Sequence, residues 1–209
     1  MHPSLIIVDD CLESPESVRE KILRQEFILH KPDAGSGYSY RETCPASELV
    51  QEMLNRVEDI LGRNVASTYS DSKIVAENKR DERISKKRTW IHYDPFRWTA
   101  VLYLNLPEQC RGGTGFYRHK RTGFSNLLEV RHDFTNGGKL NRLVSRDSAN
   151  PSAWELTDRV QMVFNRMVLF DGRSFHQALE YFGDSLRSSR MFMQMTFQRV
   201  DDQLIRKET

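Results

Sequence analysis

Long hydrophobic runs are missing from this sequence. None approaches the roughly 18 residues that a membrane-spanning helix needs, so no spanning helix is expected. The opening segment, Met1-His-Pro-Ser-Leu-Ile-Ile-Val-Asp-Asp10, has no basic region and an apolar run of only four residues. It does not read as a secretion signal. Cysteine is scarce: Cys11, Cys44 and Cys110 make an odd count without Cys-x-x-Cys spacing. That argues against structural zinc and leads to the expectation of a reducing cytoplasm. An excess of one charge is also absent, with 31 basic and 29 acidic residues and a net charge of +2. Phosphate binding wants a concentrated basic surface, so nucleic acid is not expected as the main partner. The one dense basic patch, Lys86-Lys87-Arg88, reads as a solvated loop. There is no internal repeat and no low-complexity tract.

The 209 residues that remain, 38% hydrophobic and 29% charged, suffice for one domain with a real core, taken here as residues 1–209. Leu5-Ile6-Ile7-Val8 reads as a buried strand. Ser14 and Pro15 open a helix expected over 15–27, with Val18, Ile22, Leu23 and Phe27 at helical spacing. Residues 31–41 look like a loop bearing Tyr38 and Tyr40. A second helix, 46–61, has the stripe Leu49, Val50, Met53, Leu54, Val57, Ile60 and Leu61, and stops at Gly62. A strand over 68–77 and a charged loop over 78–85 follow.

From Arg88 the pattern changes to short strand-like runs: 88–94, 99–106, 114–118, 160–164, 167–171, 174–180 and 190–199. Two helices followed by many short strands predict an α+β, mainly β chain. The expected form is a jelly-roll core with the two N-terminal helices packed on one sheet. The polar stretch 120–154 reads as a long loop, of the kind that forms lids and binding loops.

Chemistry concentrates in Thr89–Pro107, which holds His92-Tyr-Asp94. A His and an Asp two residues apart on a strand point to one face. His176, after the Asp171-Gly172 turn, would supply a third ligand from far along the chain. Two imidazoles and a carboxylate form the facial triad used for non-haem Fe(II), which leaves coordination positions open. The last strand puts Arg190, Phe192, Gln194 and Thr196 on one face and Met191, Met193, Met195 and Phe197 on the other. An Arg heading a half-buried strand makes sense if the interior holds an anion, since guanidinium binds carboxylate with two parallel hydrogen bonds. Arg187 competes for that role from the loop before the strand, and Arg190 is favoured.

These residues resemble the Fe(II)- and 2-oxoglutarate-dependent dioxygenases, in particular the prolyl-hydroxylase-like branch. The resemblance covers about 88–118 and 164–198. It runs through His92-Tyr-Asp94, Thr99-Ala-Val-Leu-Tyr103-Leu-Asn105, Gly112-Gly-Thr-Gly-Phe116, His176 and Arg190. It implies a double-stranded β-helix with Fe(II) held by His92, Asp94 and His176. It also implies 2-oxoglutarate bound by Arg190 and Tyr103, with Thr99 on the same face, and O2 as the oxidant. The implied reaction is hydroxylation of a C–H bond of an amino acid, peptide or other small molecule, with release of succinate and CO2. Only four residues separate Asp94 from Thr99, so the substrate-side loop common in that branch is nearly absent, and substrate identity is not implied. Trp90, Trp98, Tyr117, Arg118 and His119 are candidates for its entrance, His119 reading as a solvated loop residue just past a strand. Two other readings stand beside this one. The first is a non-enzymatic jelly-roll binding module. The second is a nucleic-acid-modifying dioxygenase using Arg118, Lys120, Arg121, Arg131, Lys139, Arg142 and Arg146. The oligomeric state is left open.

Overall fold

A computed structural model describes residues 5–31, 39–62, 65–79, 90–131 and 139–199. Among the described residues, ten strands form two antiparallel sheets. The larger sheet contains β1 (Leu5–Val8), β2 (Ile28–His30), β3 (Tyr40–Thr43), β4 (Val65–Glu77), β5 (Trp98–Tyr103), β8 (Met167–Phe170) and β10 (Arg190–Arg199). Its order is β1-β8-β5-β10-β4-β3-β2. The smaller contains β6 (Gly113–His119), β7 (Trp154–Gln161) and β9 (His176–Ala178), in the order β7-β6-β9.

The period-two pattern of β10 decides what lies where. Met191, Met193, Met195 and Phe197 are all buried with Trp98, Ala100, Leu102, Met167 and Leu169 on one face of the large sheet. The same cluster takes in Ile22 of α1 (Pro15–Leu23) and Leu49, Val50, Met53 and Val57 of α2 (Ser47–Leu61). The other face of the large sheet contributes Val75, Val101, Tyr103, Val168, Phe170 and Phe192. These meet Phe116 and Val160 of the small sheet, so the two sheets enclose a second apolar layer. Alternation along each strand thus sends one set of side chains to the helices and the other between the sheets. A third cluster, Ile91, Tyr117, Val144, Trp154 and Phe175, is separate from both.

Several expected boundaries move. α1 ends at Leu23 rather than 27. Pro15 is at its start, but the Ser14 side chain makes no capping bond. Phe27 still packs on the helix-side core from beyond the helix. Tyr40, expected in a loop, begins β3 and stacks on His30 at 4.4 Å. Tyr38 and Lys86-Lys87-Arg88 lie outside the described residues. α2 ends at Gly62, whose φ of 81° favours glycine.

The largest correction concerns 120–154. It contains α3 (Leu127–Arg131), α4 (Lys139–Asp147) and a short 3₁₀ turn, Pro151–Ala153, and β7 begins at Trp154. β7 hides because it is an edge strand: only Trp154 and Val160 of its eight residues are buried. The expected strand at 160–164 is only the end of it. Among the described residues no helix is long and apolar enough to cross a membrane.

Candidate metal centre

The expected strand 88–94 is not a regular strand where it is described. His92 instead forms an isolated antiparallel bridge with His176. His92 N–H donates to His176 O at 3.0 Å and His176 N–H to His92 O at 2.8 Å. Two residues on, Asp94 N–H donates to Gly172 O at 2.7 Å. Backbone bonds at both ends thus lock the His92–Asp94 segment against the turn that precedes β9.

This docking brings one ligand atom each from His92, Asp94 and His176 within 4.8 Å of one another. His176 Nε2 lies 3.7 Å from Asp94 Oδ2. His176 and Asp94 are mostly buried, while His92 is exposed. Both imidazoles are preset. His92 Nδ1 is 3.0 Å from Trp90 O, and His176 Nδ1 is 2.8 Å from Ser174 O. A carbonyl only accepts, so each Nδ1 carries the hydrogen and each Nε2 keeps its lone pair for a metal. Burial and the neighbouring His92 push the His176 pKa down to about 4 against the pull of Asp94, which keeps the ring neutral as a ligand must be. Thr99 donates its hydroxyl to Asp94 Oδ2 at 2.6 Å. A donor set of two imidazoles and one carboxylate fits Fe(II) and leaves coordination positions for other groups.

Deeper between the sheets, the β5–β10 register pairs Thr196 with Thr99 and Phe192 with Tyr103. Arg190 therefore lies beyond Tyr103, at the end of the layer away from Asp94. Its side chain is 4% exposed, and its guanidinium sits 4.4 Å from the Phe192 ring centroid and 5.8 Å from that of Tyr103. Arg190 Nη1 donates to Glu77 Oε2 at 2.6 Å, while Nε is buried without a partner. Tyr103 is fully buried and its hydroxyl is 2.7 Å from Thr114 Oγ1. Burial raises its pKa, so the phenol stays protonated. Arg187 is on the surface in an exposed pair with Glu20.

Of the entrance candidates, Trp98 is misplaced by the sequence argument. It is 3% exposed in the helix-side core, because Thr99 and Tyr103 take the inner face of β5 and send Trp98 to the other. Trp90 is 40% exposed and borders a cavity of about 250 Å³ whose walls include Ile91, Val144 and Phe175 of the third cluster. Phe116 is the inward residue of its pair, 6.5 Å from the His176 ring and 5.2 Å from Phe170. Tyr117, after a register shift, joins the third cluster and accepts from Gln177. Phe116, Tyr117 and exposed Arg118 line a cavity of about 340 Å³ with Thr157, Asp158 and Ser174. His119 is not a solvated loop residue. It ends β6 with no exposed surface, bonded to Asp147 at 3.1 Å and Thr122 at 2.9 Å.

Glu77 was not singled out from the sequence, and Thr114, Asp171 and Gly172 entered only as parts of a glycine-rich motif and a turn, with no role at the site. Asp171 is gripped by Arg97 and Arg173. A Cβ on Gly172 would come within 2.6 Å of Thr99 Oγ1 and 2.9 Å of Phe96 O, so the turn packs directly on the residues that hold Asp94.

Solved structures share this fold at low identity. HygX from Streptomyces hygroscopicus, with nickel and 2-oxoglutarate bound, superposes with a TM-score of 0.53 at 14% identity, covering 94% of this chain and 83% of its own. SnoN, a non-haem α-ketoglutarate-dependent epimerase from nogalamycin biosynthesis, gives 0.53 at 13% identity, covering 93% and 77%. An oxidoreductase of the 2OG-Fe(II) oxygenase family from Burkholderia pseudomallei gives 0.51 at 10% identity, covering 93% and 84%. At these identities the likeness is one of fold. No curated protein matches the sequence significantly. A family model matches residues 2–179, and the chain belongs to that family, the family of unknown function DUF6445.

Proposed function

We propose that this protein is an Fe(II)- and 2-oxoglutarate-dependent oxygenase built on a double-stranded β-helix, resembling the prolyl-hydroxylase-like branch. The observation that carries the reading is the convergence of His92, Asp94 and His176 within 4.8 Å, with both imidazoles fixed in the ligating tautomer. The group fits a second way. Arg190 has a buried Nε with no partner, at the opposite end of the inter-sheet layer. A 2-oxoglutarate distal carboxylate is the anion such an edge would take.

In this reading His92, Asp94 and His176 hold the metal, and Thr99 orients Asp94. Arg190 holds the distal carboxylate, with Tyr103 beside it. Bound together, Fe(II), 2-oxoglutarate and O2 supply the oxidation of a substrate C–H bond, with release of succinate and CO2. The Val101, Phe170 and Phe192 side chains keep water out of the layer between metal and anion sites. Asp94 fills the carboxylate position of the triad, and this favours hydroxylation over halogenation.

The substrate approaches through the cavity of about 250 Å³ bounded by Trp90, Tyr93 and Phe175, whose wall includes His92 itself and which has room for a small molecule or one side chain of a peptide. HygX, of similar fold, has been solved with hygromycin B bound, which supports a small-molecule substrate. The test is succinate formation from 2-oxoglutarate with Fe(II) and O2, in the native protein and in His176→Ala. Native turnover that is lost in the variant supports the reading. A folded native protein that takes up no metal and consumes no 2-oxoglutarate is a binding module on the same fold.

A further inference from the structure

Glu77 has no part in the chemistry above, yet it touches the residue assigned to the anion. β4 and β10 pair Glu77 directly opposite Arg190. Their side chains are 12% and 4% exposed, and one bond joins them, Arg190 Nη1 to Glu77 Oε2 at 2.6 Å. That contact is at one end of the guanidinium. Nε remains buried and unpartnered, and the Phe192 ring at 4.4 Å keeps the plane from swinging. A carboxylate binds guanidinium best along an edge, through two parallel hydrogen bonds.

We propose that Glu77 is a specificity-determining residue of the cosubstrate pocket. It fixes Arg190 end-on so that one edge faces a single distal carboxylate, and its own charge weakens that carboxylate's binding. The inference rests on the oxygenase reading above. Its logic is charge counting. Arg190 and Glu77 together carry no net charge, so an incoming carboxylate is drawn by directed hydrogen bonds and opposed by a like charge on the same guanidinium. Removing the Glu77 charge while keeping an acceptor oxygen leaves the orientation and removes the opposition.

The experiment uses the full chain loaded with Mn(II) without O2, titrated calorimetrically with 2-oxoglutarate and with 2-oxobutyrate, which has the same keto-acid head and no distal carboxylate. In Glu77→Gln the Kd for 2-oxoglutarate is expected to fall about tenfold, the equivalent of one pKa unit of charge–charge interaction. The Kd for 2-oxobutyrate and for Mn(II) stays as in the native protein. An unchanged or weaker preference for 2-oxoglutarate overturns the inference and makes Glu77 a purely structural partner. A native protein that takes up Mn(II) and binds neither keto acid removes the oxygenase reading itself, and the inference with it. Should Glu77→Gln lose its thermal transition, Glu77→Asn, which also keeps an acceptor oxygen without the charge, is compared instead by the rise in Tm on adding 2-oxoglutarate. A rise larger than the native protein's supports the inference, and an equal or smaller rise overturns it.

Discussion

Thr99 Oγ1 lies 2.6 Å from Asp94 Oδ2 and donates to it, so the hydroxyl expected to line the cosubstrate pocket is spent on the metal ligand. The bond fixes the carboxylate through Oδ2, the same oxygen that lies 3.7 Å from His176 Nε2. Thr99→Val keeps the shape and removes the donor. Loss of such a bond behind a ligand is expected to weaken metal binding by about 10- to 100-fold. Mn(II) calorimetry checks this, with an unchanged Tm showing that the fold is intact.

Gly172 is the backing of the same carboxylate. Its carbonyl accepts from Asp94 N–H, and its α-carbon faces Thr99 and Phe96 with no room for a methyl. Gly172→Ala must push the turn away from Asp94. The expected cost is about 1–3 kcal/mol of stability, together with weaker Mn(II) binding. A variant with native Tm and native metal affinity would show that the turn yields freely.

The His92, Asp94 and His176 cluster was legible because its chemistry is written in residue types at a suitable spacing. Glu77 was not, because a charged residue at the end of a strand looks the same whether it faces solvent or a buried guanidinium. β7 escaped for a related reason. It offers only two buried apolar side chains, Trp154 and Val160, so its periodicity is faint. Trp98 was misassigned although the alternation of β5 already placed it opposite Thr99 and Tyr103.

His119 ties the region after β6 to α4. Its ring lies between Asp147 Oδ2 and Thr122 Oγ1, and Trp154 Nε1 donates to Asp147 O. His119→Ala and Asp147→Ala should each cost about 1–3 kcal/mol, and the double variant little more than either. Burial would raise the Asp147 pKa, but hydrogen bonds from Arg146 and His119 outweigh it and hold the carboxyl below its ordinary 3.8. A depressed carboxyl stabilises above its ordinary value and loses that contribution as pH falls through the folded-state value. Denaturant melts should therefore show the gap between native protein and Asp147→Ala at neutral pH and its narrowing below pH 3.8.

The three thiols report on opening of the core. Cys11 is fully buried with its Sγ 3.8 Å from Met53 Sδ, and burial pushes its pKa up to about 11. Burial raises Cys110 as well, while Cys44 is exposed. Reactivity follows thiolate and access. At pH 8 a disulfide reagent should modify Cys44 promptly and Cys11 only as fast as α2 leaves the sheet. Timed mass spectrometry of the labelled chain separates the two.

Arg190 and Arg187 lie three residues apart and make opposite predictions. Arg187→Ala removes a solvent-screened, exposed pair with Glu20 and should leave stability and 2-oxoglutarate binding untouched. Arg190→Ala strands Glu77 in the interior, a loss of about 3–5 kcal/mol, so failure to bind could mean failure to fold. Replacing both partners avoids this, because an apolar pair in place of a buried ion pair is often neutral. The double variant Arg190→Met with Glu77→Met should keep a native Tm and native Mn(II) affinity. Its 2-oxoglutarate affinity should drop by about 10- to 100-fold, the worth of a hydrogen-bonded charge pair. Retained affinity there, with loss in Arg187→Ala, would move the anion site to the surface loop before β10.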